Sequence, residues 1–366
     1  MPVPTRRQFI QSMTAASVAT LAASHLQPLS AQQAGATGSP WRSRMGLALY
    51  TVRNLLPADF EGTLAKVAAI GYTEVETSQS FNNIPPKDFR AMLDRYKLTL
   101  PSSHVSASGE GAELERILEG YQLMGMKYAL IQSPGGRGGG AAGRAGAPAA
   151  GRGGAPAVAG RPANLPPGAY YNSATGVVSN SFTEMEAFGP NQAPTSLDAV
   201  QRRAAQLNAQ GKIAQKFGMK TLVHNHTGEF EKLTDSPRTT MDVLIAETDP
   251  ALVTIQLDLG WTVIAGVDPI AMFKAHPGRF ELWHVKDVFG LKKVNPALGP
   301  NARVSSTAFC PVGTGHMDWK ALFAQAPLAG LKHFVVEQDN AAVWGDSLAA
   351  ARVSHNNLAA ILGDMR

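Results

Sequence analysis

A barrel of eight parallel strands, each followed by a helix, is the fold class that this sequence predicts. Three observations predict it. Short apolar runs of strand length alternate with longer segments whose apolar residues recur at helical spacing. The alternation of strand and helix repeats eight times, which implies parallel strands joined by right-handed crossovers. Finally, four apolar runs in the second half end on groups able to hold a metal: Thr221-Leu-Val-His-Asn-His226, Thr254-Ile-Gln-Leu-Asp258, Phe280-Glu-Leu-Trp-His284 and His333-Phe-Val-Val-Glu337. In a barrel, the C-terminal ends of the strands converge on the face where the chemistry is done. An open doubly wound sheet is the rival architecture. It calls for a Gly-rich phosphate loop after the first strand, and the chain has none there.

The elements follow in order. Met45 to Tyr50 is a short apolar strand, and Phe60 to Ile70 a helix with Leu64, Val67 and Ala68 on one side and Gly71 as its C-cap. Thr73 to Glu76 is the second strand. Pro86 opens a helix that runs to about Tyr96. Leu98 to His104 is the third strand, Glu113 to Met124 a helix stopped by Gly125, and Lys127 to Gln132 the fourth strand. After an interruption, Ser196 to Phe217 reads as a long helix with Leu197, Val200, Ala204, Leu207 and Ile213 on one side. Thr221 to His226 is the fifth strand, Met241 to Thr248 a helix, and Thr254 to Asp258 the sixth strand. Asp268-Pro269 caps and starts the next helix. Phe280 to His284, a helix from Trp319 to Ala326, His333 to Glu337 and a closing helix from Ser347 to Leu362 complete the pattern.

The interruption spans residues 134–194. Pro134 to Pro167 is dominated by Gly, Ala, Arg and Pro and holds too little apolar surface to order itself. Ala169 to Pro194 is better mixed. A flexible insert is the simpler expectation, with a lid or a partner contact as the alternative. At the N-terminus, Thr5-Arg-Arg-Gln-Phe-Ile10 precedes an uncharged Ala-rich stretch from Ser12 to Leu26, and Leu29-Ser-Ala31 offers a small-residue cleavage site. This pattern predicts a twin-arginine signal over residues 1–31, hence the twin-arginine export machinery as a partner and a periplasmic or otherwise exported location. Its apolar part is too short for stable membrane insertion. Residues 32–44 then form a linker, and 45–366 the barrel. Without leader, linker and insert about 260 residues remain, near the usual size of such a barrel.

Composition narrows the function. The net charge of +5 does not describe a basic face. Arg6 and Arg7 lie in the leader, and Arg137, Arg144, Arg152 and Arg161 in the Gly/Ala-rich tract, so no nucleic-acid partner is expected. The single cysteine, Cys310, rules out an internal disulfide and a cysteine metal cluster.

Seven strings, in order and at the expected strands, resemble one family. They are Gly46-Leu-Ala-Leu-Tyr-Thr-Val-Arg53, Ala69-Ile-Gly-Tyr-Thr-Glu-Val-Glu76, His224-Asn-His-Thr-Gly-Glu-Phe230, Leu257-Asp-Leu-Gly-Trp261, Trp283-His-Val-Lys-Asp287, Val312-Gly-Thr-Gly-His-Met-Asp-Trp319 and Val336-Glu-Gln-Asp339. Together they look like the sugar phosphate isomerase/epimerase family of the xylose-isomerase-like TIM barrel superfamily. That resemblance implies a divalent metal held at the ends of the last four strands by His224, Asp258, His284 and Glu337. The sequence departs from the family at His224, where sugar epimerases of the superfamily usually carry a glutamate. Two-sided epimerisation by paired carboxylates is the step this departure puts in question.

The residues themselves support the same site. His224 and His226 are two apart, so on a strand both face the barrel interior. His224 reaches a metal there, while His226 contacts substrate or serves as a further ligand. Mixed nitrogen and oxygen donors suit Mn, Co, Zn or Fe. Such a metal polarises a substrate oxygen, and a nearby base removes the adjacent proton. Glu337 is the expected base. His226 or Glu229 returns a proton or protonates a leaving group, with a structural acceptor as the alternative for Glu229. Lys286 points the same way as His284 and either stabilises an oxyanion or pairs with a carboxylate. Glu76 and His104 are placed to grip hydroxyls, and Trp261 to stack on a sugar ring, while Trp283 alternates with His284 and packs outside the barrel. The leading expectation is a metal-dependent isomerase or epimerase acting on a small carbohydrate through an enediolate. A lyase or hydratase acting on 3-keto-glycosides by β-elimination uses the same first step. A non-catalytic sugar-binding module is the expectation of another class.

Overall fold

The computed structural model describes residues 39–77, 84–107, 111–132, 170–172, 177–179, 195–291, 297, 308–344 and 346–365. The expected leader and most of the Gly/Ala-rich insert fall outside these residues. A closed barrel is formed by β1 (Gly46–Ala48), β2 (Glu74–Thr77), β3 (Thr99–Ser106), β4 (Tyr128–Gln132), β7 (Lys220–His224), β8 (Val253–Asp258), β9 (Leu282–Val285) and β12 (His333–Val336). Every pairing round the ring is parallel, and β1 closes onto β12 through Gly46 opposite Val335. The expected (β/α)8 architecture is therefore the observed one.

The helices begin and end where the sequence supplies caps. The Asp59 carboxylate accepts the Gly62 amide at the start of α1 (Phe60–Ile70), and Gly71 closes that helix at φ +118°. A Cβ on Gly71 would also lie 2.6 Å from His355 Nε2, so the cap requires glycine twice over. α2 (Pro86–Arg95) carries proline in its first turn, and α3 (Gly111–Leu123) stops before Gly125 at φ +84°. Ser196 caps α4 (Leu197–Gln215), and a reciprocal Thr239/Asp242 capping box opens α5 (Thr240–Glu247). Asp268 caps α7 (Pro269–Ala275), Asp318 caps α8 (Trp319–Ala324) and Asp346 caps α10 (Ser347–Gly363).

The structure corrects several expected boundaries. The first strand is only three residues long, and its end winds into a 3-10 turn at Leu49–Val52. The fifth barrel strand stops at His224, so His226 lies beyond it. A short helix, α6 (Leu259–Ile264), begins directly on Asp258, which the periodicity did not indicate. The helix expected from Trp319 to Ala326 breaks, and α9 (Ala326–Ala329) follows with Pro327 in its first turn. Two antiparallel pairs decorate the barrel: β5 (Tyr170–Asn172) with β6 (Val177–Ser179), and β10 (Asp287–Phe289) with β11 (Ala308–Cys310). β5 lies against the 3-10 turn Ala341–Trp344, which follows β12.

Side chains alternate along each strand between the interior and the helix layer. Trp283 faces outward, stacked on Phe273 at 5.0 Å and edge-on to Phe323 at 5.5 Å. Each such ring pair adds about 0.5–1.5 kcal/mol beyond its area burial. Inside, Tyr128, Leu130, Leu222 and Leu282 form an apolar plug. Above it, at the C-terminal strand ends, the interior turns polar.

Among the described residues, no helix is long and apolar enough to cross a membrane.

Candidate active site and metal centre

Hydrogen bonding between neighbouring strand ends sets the site. His224 pairs with Gln256, and Asp258 with His284, in the parallel register. Asn225 locks the first two ends together: its Oδ1 accepts the Asp258 amide at 2.9 Å, and its Nδ2 donates to Thr262 Oγ1 at 3.2 Å. Asp258 also caps α6, accepting the Trp261 amide on Oδ1 at 2.9 Å. This leaves Oδ2 aimed into the barrel. Gly260 lets α6 lie against β9, because a Cβ there would meet the Lys286 carbonyl at 2.7 Å.

One donor atom from each of His224, Asp258 and His284 lies within 4.8 Å of the others, and all three residues are buried. His224 Nδ1 and Asp258 Oδ2 have no hydrogen-bond partner among the described residues. Unpartnered buried donor atoms of this kind are costly unless something binds them. Two imidazoles and a carboxylate are an ordinary donor set for a divalent transition metal. The residues present fit such an ion.

Glu337 stands one residue past β12, outside that trio. Its Oε2 lies 2.7 Å from His284 Nδ1 and 2.9 Å from Lys286 Nζ. The Lys286 ammonium is buried at the centre of three carboxylates. It is 3.0 Å from Asp258 Oδ2, an ion-pair distance without hydrogen-bond alignment, and donates to Asp339 Oδ2 at 2.9 Å. The ring of Phe309 covers it at 4.7 Å and that of Trp261 at 5.5 Å.

This arrangement sets the protonation states. Burial alone would discharge Lys286, but Asp258, Asp339 and Glu337 raise its pKa well above the usual lysine value. Burial would likewise raise Glu337, yet Lys286 and His284 hold it well below the usual carboxylate range. Burial works against charge on His284, and Glu337 and Glu76 reverse it, lifting the imidazole to about 10. Asp339, buried and only partly compensated by Lys286, rises to about 6. His226 is pushed down to about 3, first by burial and then by Lys286, so it is neutral at ordinary pH.

The remaining expected residues fall into two groups. His226 and His104 join the site: His226 packs edge-on to His224 at 5.0 Å, and His104 lies 6.1 Å from His224. His226 Nδ1 and His104 Nε2 lack hydrogen-bond partners among the described residues, and His104 Nε2 lies 4.0 Å from Glu76 Oε1. Glu76, Glu229 and Trp261 are turned to internal contacts. Glu76 Oε2 accepts from Ser102 Oγ and Gln256 Nε2, both at 2.5 Å, and its Oε1 accepts from His284 Nε2 at 2.7 Å. Glu229 Oε2 accepts the His226 amide at 2.8 Å and so shapes the turn after β7. Trp261 is fully buried behind His226, with ring centroids 5.3 Å apart, and presents no open face for a sugar.

Asp339, Gln256, Ser102 and Asp287 were not singled out by sequence reasoning. Asp339 is two residues past Glu337 and Gln256 two before Asp258, so the strand alternation that placed the candidate ligands also places these two. Asp287 accepts the Gly313 amide at 2.8 Å, the Gly315 amide at 3.2 Å and the Trp319 indole at 3.0 Å, pinning the Val312–Trp319 loop beside the site. Nothing short of the fold brings that loop to it.

Comparisons with known proteins agree with this architecture. A family described as Xylose isomerase-like TIM barrel matches residues 169–353. An inosose dehydratase of Clostridium tetani is 32% identical over 120 residues, which are 32% of this chain and 39% of the relative. One of Geobacillus thermodenitrificans is 31% identical over 137 residues, 36% of this chain and 45% of the relative. The matched stretches thus span less than half the length of these curated relatives. Among solved structures, a sugar phosphate isomerase/epimerase of Parabacteroides distasonis has a TM-score of 0.57 at 18% identity, over 91% of this chain and 98% of that one. The IolI protein, solved with a zinc atom, has a TM-score of 0.54 at 11% identity, over 88% of this chain and 99% of that one. These structural likenesses establish the fold. With its matched region, its closed parallel barrel and its strand-end motifs together, the chain belongs to the xylose isomerase-like TIM barrel family.

Proposed function

We propose that the chain is a divalent-metal-dependent enzyme that removes a proton from the carbon beside a ketone of a polyhydroxylated substrate and then eliminates water from the neighbouring carbon. The observation that carries this reading is the Glu337 carboxylate, held ionised by Lys286 at the edge of the His224, Asp258 and His284 cluster. His224, Asp258 and His284 would hold the cation, with Glu337 beside them. A cation bound there supplies Lewis acidity, which draws electron density from the substrate's carbonyl oxygen and acidifies the adjoining C–H.

The chain's own groups do the rest. Glu337 takes the proton from the α carbon, and the C–H electron pair becomes the new carbon–carbon double bond of an enolate. When the carbonyl re-forms, the C–O bond at the β carbon breaks. The proton now on Glu337 passes to the departing hydroxyl, which leaves as water. Lys286 keeps Glu337 ionised before the first step and remains beside it throughout. The unpartnered nitrogens of His104 and His226 are positioned to orient substrate hydroxyls.

Isomerisation and epimerisation share the proton abstraction. Two observations favour elimination. Epimerisation by paired carboxylates needs a second one across the substrate, and Glu76 is engaged by Ser102, Gln256 and His284. The matched curated relatives are named inosose dehydratases, and the elimination chemistry is carried over from that name. The test is incubation of metal-loaded protein with a panel of keto-cyclitols, keto-sugars and glycosides in heavy water, followed by NMR. We expect an unsaturated ketone in which the proton beside the carbonyl and the hydroxyl of the neighbouring carbon have both been lost. Deuterium without loss of water would instead mean isomerase or epimerase chemistry, and binding with no exchange at all would mean a sugar-binding module.

A further inference from the structure

Beneath the metal-binding trio lies a carboxylate that the mechanism above leaves unused. Glu76 is buried at 3% exposure on β2, three strands around the ring from β9 by way of β1 and β12. It does not reach the open end of the barrel. Three side-chain donors from three different strands converge on it: Ser102 from β3, Gln256 from β8 and His284 from β9. The first two fix Oε2, which leaves Oε1 aimed at His284 Nε2, 2.7 Å away. The other imidazole nitrogen, Nδ1, faces the opposite way, 2.7 Å from Glu337 Oε2 and 3.7 Å from Asp258 Oδ2.

We propose that Glu76, held by Ser102 and Gln256, is a positioning residue that keeps the proton on His284 Nε2 and thereby presents Nδ1 to the cation. The proposal rests on the metal-site reading given above. Its logic is that of carboxylate–histidine–metal triads, in which the second ring nitrogen donates to an acidic group that sets tautomer and orientation. It differs from the sequence-based expectation that Glu76 grips substrate hydroxyls: both Glu76 oxygens are turned to donors of the barrel interior, and the residue is buried. It also explains why a charged group is retained in the barrel interior, where an unpaired carboxylate would be strongly disfavoured. Ser102 and Gln256 are then part of the metal site although neither touches the ion, and Gln256 occupies the inward position one layer below Asp258 on the same strand.

The test uses the full chain, stripped of metal, and cobalt or zinc ions alone as the probe. Calorimetric titration of wild type and Glu76→Gln, with circular dichroism and thermal unfolding as the check on fold, should give a 10- to 100-fold weaker affinity in the variant. The visible absorption of bound cobalt should change with it, since a less ordered imidazole alters the ligand geometry. Nitrogen-15 NMR of the wild-type zinc protein should find His284 protonated on Nε2 and bound through Nδ1, a readout that needs no variant. If wild type binds no ion, the metal-site reading itself fails. If wild type binds, but Glu76→Gln binds within about twofold of it, or the zinc sits on Nε2, the site stands and the proposal for Glu76 is overturned. Should Glu76→Gln not fold, the wild-type NMR result decides.

Discussion

Replacing Glu337 with glutamine is expected to lower kcat by roughly 10²- to 10⁴-fold, the usual contribution of a positioned acid/base group. The change is nearly isosteric. Its amide oxygen can still accept from Lys286 Nζ, which keeps its partners Asp258 and Asp339. The barrel should therefore remain folded, and substrate that binds through His104 and His226 should still bind. What the amide cannot do is accept a proton from carbon. The loss should fall chiefly on kcat, with a smaller change in KM, as for a group whose contribution is made in the transition state. Steady-state kinetics of the metal-saturated variant, with metal occupancy measured alongside, provides the check. A kcat within a few-fold of wild type at full occupancy would remove Glu337 as the base.

Replacing Lys286 with methionine should destabilise the metal-free protein by about 3–5 kcal/mol at neutral pH, the cost of removing one partner from a buried ion pair. Methionine preserves much of the volume between Trp261 and Phe309, so packing loss is a minor part. The dominant cost is the charge left behind. Asp258, Glu337 and Asp339 would face one another without the ammonium that lies within 3.0 Å of each. Their pH dependence gives the prediction a sign. Burial raises Asp258, and Asp339 is already at about 6 with Lys286 present. Without Lys286, Asp258 and Asp339 rise further above their unfolded values, and Glu337 loses the cation that holds it down. A carboxylate raised by folding favours the folded state at low pH and loses that advantage as pH rises. The deficit of the variant relative to wild type should accordingly shrink as pH falls from about 7 through 6 towards 5. Urea unfolding at several pH values measures it. A variant as stable as wild type, or a deficit that widens on acidification, would contradict the charge network described here.

The barrel was legible because its signals are local and repeated. Strand-length apolar runs, Asp268 as a cap, and Gly71 and Gly125 as stops each act within a few residues. The clustering of His224, Asp258 and His284 was legible for a related reason: each closes an apolar run, and parallel topology carries all such ends to one face. The environment of each side chain was not legible. Glu76 and Glu337 look alike as strand-end carboxylates, yet one receives three donors inside the barrel and the other lies against Lys286 at its edge. That difference arises from register between strands far apart in the chain, such as Gln256 reaching Glu76 across 180 positions. Trp261 was misplaced because α6 begins on Asp258 itself, which turns the indole inward behind His226 rather than towards substrate. Helices this short leave no periodicity to read.

The central claim is that His224, Asp258 and His284 jointly bind a divalent cation. Diffraction from crystals soaked in cobalt or zinc, recorded at the absorption edge of the added metal, tests it most directly. The account predicts a strong anomalous peak between His224, Asp258 Oδ2 and the Nδ1 side of His284, lost when Asp258 is replaced by alanine. An empty difference map among those three side chains at saturating metal, or a peak that persists unchanged in the Asp258→Ala protein, would contradict it.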